Sequence, residues 1–244
     1  MSRREADDAV ASGRVTINGV RAQMGSQVAP TDSVALDSTI LCKKTQYTYL
    51  VLHKPVGYVC SRRRQGDIPT IYELLPEQYR ALKPVGRLDK DSSGILLLTD
   101  DGDFAHSMTH PKFYKTKIYE VELDHPLAPL HQQMVSDFGV TLEDGVSRFL
   151  IEKLEGRKKK DEGREGADGH DARVKSQESR VKKSTELNGS GQTYKITMHE
   201  GRNRQIRRTF AALGYTVTHL HRTTFGNYSL GDIKTGEHAL VDIR

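Results

Sequence analysis

The chain has 244 residues, with 37 Lys plus Arg against 32 Asp plus Glu, a net charge of +5 and 36% hydrophobic residues. That length excludes a peptide-sized scaffold or a fibre, and leaves room for one large domain or a medium domain with a small companion. No stretch approaches the ~18–20 consecutive apolar residues of a membrane span, and MSRREADDAV lacks a signal peptide's apolar core, so no membrane and a cytoplasmic location are expected. Cys42 and Cys60 stand far apart with no second Cys at ligand spacing, which indicates neither a disulfide framework nor a zinc knuckle. The mild basic excess permits a polyanionic partner without demanding one.

In chain order, SRREADDAVASGR reads as a short helix, and VTINGVRAQMGSQVAPTDSVAL as short strands joined by turns at Asn18-Gly19 and around Gly25. Asn-Gly between Ile17 and Val20 is a strong hairpin signal, because both residues tolerate positive φ. These segments predict a small separate module over residues 1–42. Its helix starts almost at the terminus, with nothing upstream to pack on Ala6, Ala9 and Val10, so a first helix is expected to be missing.

From residue 47 to 244 a larger domain is predicted. YTYLVLHK, GILLLTDD, KIYEVELD, SRFLIEKLE, TYKITMHE and TVTHLHRTTF read as strands with helical stretches between several of them. Alternating rather than uniformly apolar strands favour the α+β class, a mixed and largely antiparallel sheet with flanking helices. The unbroken Ile95-Leu96-Leu97-Leu98 predicts a central strand covered on both faces. Residues 157–192 hold ten Lys or Arg, seven acids and five Gly, too polar to offset the entropy of ordering. They read as a charged mobile insert, either a solvated hairpin extension or a nucleic-acid arm.

The familiar phosphate-loop, dinucleotide, nucleophile-elbow and zinc-protease motifs are absent. His219 and His221 alternate as on a strand and lack a nearby third ligand, so they read as surface or RNA-facing and no metal is expected. The densest signal is VGRLDKDSSGILLLTDDG, residues 85–102, where turn-forming residues run into the buried strand. A carboxylate at the mouth of a rigid strand suits nucleophilic or acid/base work. Asp89 and Asp91 are both candidates, and one of them could equally cap a turn while the other pairs with Arg87. In HEGRNRQIRRTFAALG, residues 199–214, Ile206, Phe210 and Leu213 fall on the buried face of a helix. Arg204, Arg207 and Arg208 fall on an adjoining face, suited to anions. Alternation in KTKIYEVELD puts Tyr119 on the inner face with Val121 and Leu123, as core or as a ring for a base to stack on. Lys54 precedes a proline turn, and Arg62-Arg63-Arg64 could meet phosphate in a loop.

HKPVGYVCS (53–61), VGRLDKDSSGILLLTDDGDFAHSMTHP (85–111), KTKIYEVEL (115–123), GVTLEDG (139–145) and HEGRNRQIRRTFAALGYTVTHLHRTTFG (199–226) together resemble the RsuA/RluB-type ribosomal RNA pseudouridine synthases. The likeness spans residues 47–244 apart from the charged insert, and the first forty residues are similar to the S-four-type RNA-binding module these enzymes often carry. The resemblance implies the pseudouridine synthase fold and isomerisation of uridine in ribosomal RNA, with neither cofactor nor metal. A monomer is expected. It makes Asp89 the catalytic aspartate, leaving Asp91 a supporting carboxylate. Arg207 becomes its basic partner and Tyr119 the ring that stacks on the target base, with Arg87 and Ile206 supporting. Lys54, Arg202, Asn203, Arg204 and Arg208 are expected to contact RNA, of the large subunit rather than the small one. The rival expectation is a non-catalytic RNA-binding or ribosome-assembly factor on the same fold.

Overall fold

The computed structural model describes residues 1, 3–42, 44–154 and 192–242, so the stretch at 157–192 lies outside the described residues except for Gln192. The chain divides into two compact units, Met1–Tyr47 and Thr48–Arg244.

In the small unit, helix α1 (Arg3–Ala11) precedes strands β1 (Val15–Ile17), β2 (Val20–Arg21), β3 (Val34–Leu36) and β4 (Thr39–Ile40), arranged β2-β1-β3-β4. The Asn18-Gly19 turn forms as expected, with φ of 51° and 80°. The Asn18 side chain then binds Asp32 and the Ser33 N–H, tying the hairpin to the approach of β3.

The large unit contains β5 (Tyr49–Lys54), β6 (Lys83–Pro84), β7 (Ser93–Thr99), α2 (Gly102–Thr109), β8 (Lys117–Leu123), α3 (Pro129–Gln133), β9 (Val140–Leu142), β10 (Gly145–Ser147), β11 (Leu150–Lys153), β12 (Thr193–Met198), α4 (Gln205–Ala212), β13 (Val217–Phe225), β14 (Tyr228–Ser229) and β15 (His238–Leu240). Among the described residues, nine of these strands form one sheet in the order β11-β12-β8-β13-β7-β5-β15, with β14 beside β13 and β6 beside β7. Every pairing is antiparallel except β13 with β7, so the sheet is mixed and largely antiparallel. The β9–β10 hairpin stands apart.

β7 is buried along its whole length, as its apolar run requires. Leu96 and Leu98 join the larger core with Tyr119, Val121, Ile206 and Phe210, while Ile95 and Leu97 join a smaller one with Met108 and Phe225. The two cores lie on opposite faces because side chains alternate along a strand. Asp101 starts α2 by accepting from the N–H groups of Asp103 and Phe104, the N-cap role of a short carboxylate. At the parallel junction His221 and Arg222 meet Ser93 and Gly94. Gly94 has φ of 114°, and a Cβ there would collide with the Arg222 backbone, so only glycine lets the strands approach. This junction carries the loop before β7 against the centre of β13.

Candidate active site

The loop between β6 and β7 is held by its own backbone. Each carbonyl from Leu88 to Ser92 accepts a hydrogen bond: Leu88 from the Cys60 thiol (3.3 Å), Asp89 from the Ser92 N–H (3.1 Å), Lys90 from the Gly57 N–H (2.8 Å), Asp91 from Arg207 Nη2 (2.8 Å) and Ser92 from Lys54 Nζ (2.7 Å). Donors from β5, from the segment after it and from α4 thus converge on four of five consecutive peptide groups, and the loop's own Ser92 N–H takes the fifth. Leu88 packs into the larger core beneath them. The loop is rigid without using its side chains, and the Asp89 carboxylate makes no hydrogen bond among the described residues.

Asp89 lines a cleft of about 300 Å³, whose other walls include Arg87, Lys117, Tyr119, Arg204, Ile206 and Arg222. Asp91 does not line it, which separates the two aspartates that sequence spacing left equivalent. Arg87 is exposed at the rim and forms no ion pair among the described residues, where it holds neither aspartate. Tyr119 is 8% exposed, packed into the larger core with part of its surface on the cleft.

The arginines divide differently from expectation. Arg207 does not bond Asp89: it donates to the carbonyls of Val217 (2.7 Å) and Asp91 (2.8 Å), tying the start of β13 to the aspartate loop. Burial, then neighbouring Arg204, pulls its pKa below the usual guanidinium value, and Asp91 and Asp89 oppose this. The cation nearest Asp89 is Arg204, whose Nη1 lies 3.8 Å from Asp89 and 3.6 Å from Asp91. Arg204 is the N-cap of α4 with φ of 46°, a left-handed conformation uncommon outside glycine and asparagine.

Three expected RNA contacts are committed elsewhere. Arg202 donates to Asp144 and to the carbonyls of Gly145 and Val146, and Arg208 binds the same Asp144 at 2.6 Å. Both arginines therefore fasten the β9–β10 hairpin to the start of α4. Lys54 is fully buried and donates to the carbonyls of Pro55 and Ser92, so it supports the aspartate loop and cannot reach RNA. Burial lowers its pKa to about 8, against the opposing charges of Cys60, Asp89 and Asp91. Asn203 is exposed on the cleft wall. Of the SRRR run, Arg62 binds three carbonyls between residues 80 and 82, Arg64 pairs with Glu73, and Arg63 stays exposed.

Two cations in the cleft were missed. Arg222 is 3% exposed, gives Nε and Nη2 to the Ile95 carbonyl, and lies over the Phe225 ring. Lys117 lies 5.4 Å from the same ring centroid. Alternation was the available signal, since Lys117 is two residues from Tyr119 on one strand and Arg222 two from Leu220 on another. His221 bonds Ser93 Oγ at 2.9 Å, outside the cleft, and burial followed by His53 and His219 lowers its pKa to about 4. Among the described residues no group of three or more His, Cys, Asp or Glu is placed to hold a metal.

The family model of RNA pseudouridylate synthase matches residues 48–212. Ribosomal small subunit pseudouridine synthase A of Pasteurella multocida is 32% identical, over 98% of this chain and 89% of its own length. Ribosomal large subunit pseudouridine synthase B of Bacillus subtilis is 29% identical, over 97% and 85%. A pseudouridylate synthase crystal structure superposes with a TM-score of 0.61 at 27% identity, covering 99% of this chain and 91% of that one. The matched family, the α+β sheet and a cleft built around the aspartate of GRLD agree, and the chain belongs to the RNA pseudouridylate synthase family.

Proposed function

We propose that the chain isomerises uridine to pseudouridine in ribosomal RNA, with Asp89 as the catalytic carboxylate. The observation that carries this reading is the state of the cleft's two carboxylates. Glu200 is occupied by Arg202 and Gln205, whereas Asp89 stands on a backbone-saturated loop with no hydrogen bond of its own among the described residues. It is held in place yet unspent, which is what a group meeting a substrate requires.

The reaction breaks the bond from uracil N1 to ribose C1′, turns the base, and joins C5 to C1′. C5 loses a proton and N1 gains one, so atoms and electrons balance without a redox partner. A carboxylate serves either by adding to the sugar or by removing a sugar proton. Arg204, with Arg207 further off, places positive charge beside Asp89. Tyr119 offers a ring for a uracil withdrawn from its stack, and the nucleotide flips out to reach it. Arg204 is the cleft's best placed phosphate contact, its side chain 43% exposed and able to exchange the aspartates for RNA. The unit Met1–Tyr47 is read as an accessory RNA-holding module on its likeness to the S-four type.

Relatives named for both ribosomal subunits match at 32% and 29% identity, so the test includes both RNAs, although the GRNRQIRR and HRTTFG segments favour the large subunit. Purified chain is incubated with protein-free small- and large-subunit RNA, and pseudouridine is mapped by chemical labelling and reverse-transcription stops. One new stop without release of free uracil is expected. Free uracil would make the chain a hydrolase, and binding without a stop would make it a non-catalytic factor.

A further inference from the structure

Beside the catalytic cleft runs a second groove of about 840 Å³ that shares Pro111, Met198, His199 and Glu200 with it. Two aromatic rings line this groove and stay in solvent, Tyr114 at 76% exposed and Phe138 at 75%. Both stand on irregular backbone. Tyr114 follows the short turn Pro111–Phe113 with φ of 47°, a left-handed conformation that bulky residues rarely adopt. Phe138 ends a wide π-type turn over Met134–Phe138, in which the Gly139 N–H reaches back to the Met134 carbonyl at 2.7 Å. Strained positions and π-type turns gather at functional sites. Exposed rings gain nothing from burial, so folding alone does not account for holding them there.

The charge of the groove is as distinctive as its rings. Lys112 and Arg148 line it, both exposed and, among the described residues, neither in an ion pair; Lys112 lies over the Phe113 ring and Arg148 has no partner there. Its single acid among the described residues, Glu200, is already bound to Arg202 and Gln205. Uncompensated positive charge beside exposed rings is the combination that holds single-stranded nucleic acid, the rings taking bases and the cations taking phosphate.

We propose that this groove binds a nucleotide of the RNA next to the target uridine, its unpaired base stacked on Tyr114 or Phe138 and its phosphate on Lys112 and Arg148. The proposal rests on the RNA substrate read for the cleft, with which the groove is continuous. Because every base has a stacking face, the groove positions the strand without reading its sequence.

The probe is protein-free ribosomal RNA, which excludes a protein occupant. Affinity is measured by filter retention on full-length chain carrying Asp89→Asn, and turnover on the otherwise intact chain. Tyr114→Leu and Phe138→Leu are compared with Tyr114→Phe, and circular dichroism confirms that each variant folds. Loss of at least one ring is expected to weaken affinity and raise KM about 5- to 100-fold with kcat within two-fold, whereas Tyr114→Phe retains binding. Arg148→Gln is expected to reduce the salt slope of binding by about one unit. Photocrosslinks from residue 114 or 138 should fall within a few nucleotides of the mapped pseudouridine. Folded leucine variants that both bind within two-fold of their parent, or crosslinks confined to distant RNA, would overturn the proposal. If the parent makes no pseudouridine while the leucine variants still lose RNA, the substrate reading fails and the groove stands. If conversion and binding both survive the leucine variants, the reading stands and the groove falls.

Discussion

The aspartate loop and the groove beside it line one continuous surface and are built in opposite ways. Every peptide carbonyl from Leu88 to Ser92 has a donor, four of them supplied from three other parts of the chain and one from the loop itself, and the loop presents to the cleft one carboxylate, Asp89, with no hydrogen bond among the described residues. The groove instead presents rings and cations with few partners, on left-handed and π-type backbone. The difference fits two tasks. Chemistry at a carbon centre depends on position to a fraction of an ångström, whereas stacking tolerates whichever base arrives.

That contrast predicts a descending series of effects. Gly94→Ala should be the most damaging, because a Cβ at φ of 114° meets the Arg222 backbone where β7 and β13 join. A loss of about 3 kcal/mol or more is expected in thermal or urea unfolding, together with loss of turnover. An unchanged melting temperature would mean the junction has slack that the structure does not show.

Lys54→Met removes the donor from the Ser92 and Pro55 carbonyls while keeping a similar volume. Orphaned carbonyls oppose the relief of a desolvated charge, so the net stability change should be small. The clamp is read in turnover instead, where kcat should fall about 10- to 100-fold with RNA affinity within two-fold. A matching rise in dissociation constant would return Lys54 to the RNA-binding side.

His221 gives a pH-dependent stability term in the clamped region. Its pKa is about 4 in the folded chain, through burial and then His53 and His219, against an ordinary 6.5. Between those values the unfolded chain holds more protons, so stability rises with pH. The contribution is complete above about 6.5 and is lost as pH falls through about 4. Because the ring is only partly buried, about 1–2 kcal/mol is expected after allowance for solvent screening. Unfolding of His221→Gln should be flatter across that window, and an identical slope would remove His221 as the cause.

The smallest stability effect belongs to the groove. Tyr114→Asn accommodates φ of 47° and removes no buried contact, so stability should stay within about 0.5 kcal/mol of the parent while RNA affinity falls. A large loss of stability would instead make Tyr114 a structural residue.

What sequence reveals here follows from what periodicity encodes. Strand β7 was legible because an apolar run too long for one wet face must be covered on both, and the buried face of α4 because Ile206 and Phe210 repeat at helical spacing. Partners were less legible. Arg202 and Arg208 look free in GRNRQIRR, but Asp144, more than fifty residues earlier, takes both. Lys54 ends a strand with an alternating pattern, and nothing local shows that the aspartate loop closes over it. Asp89 and Asp91 are equivalent by spacing, and the motif resemblance chose between them before the cleft did. A sequence pattern specifies which face a side chain occupies, whereas which long-range group consumes its charge depends on the closed chain.

The most direct test of the central claim compares Asp89→Asn with Asp91→Asn on the same protein-free ribosomal RNA, scoring pseudouridine at the mapped position. Loss of all conversion with Asp89→Asn, at RNA affinity within a few-fold, and substantial conversion with Asp91→Asn are predicted. Turnover that survives Asp89→Asn, or that depends equally on both aspartates, would contradict the assignment.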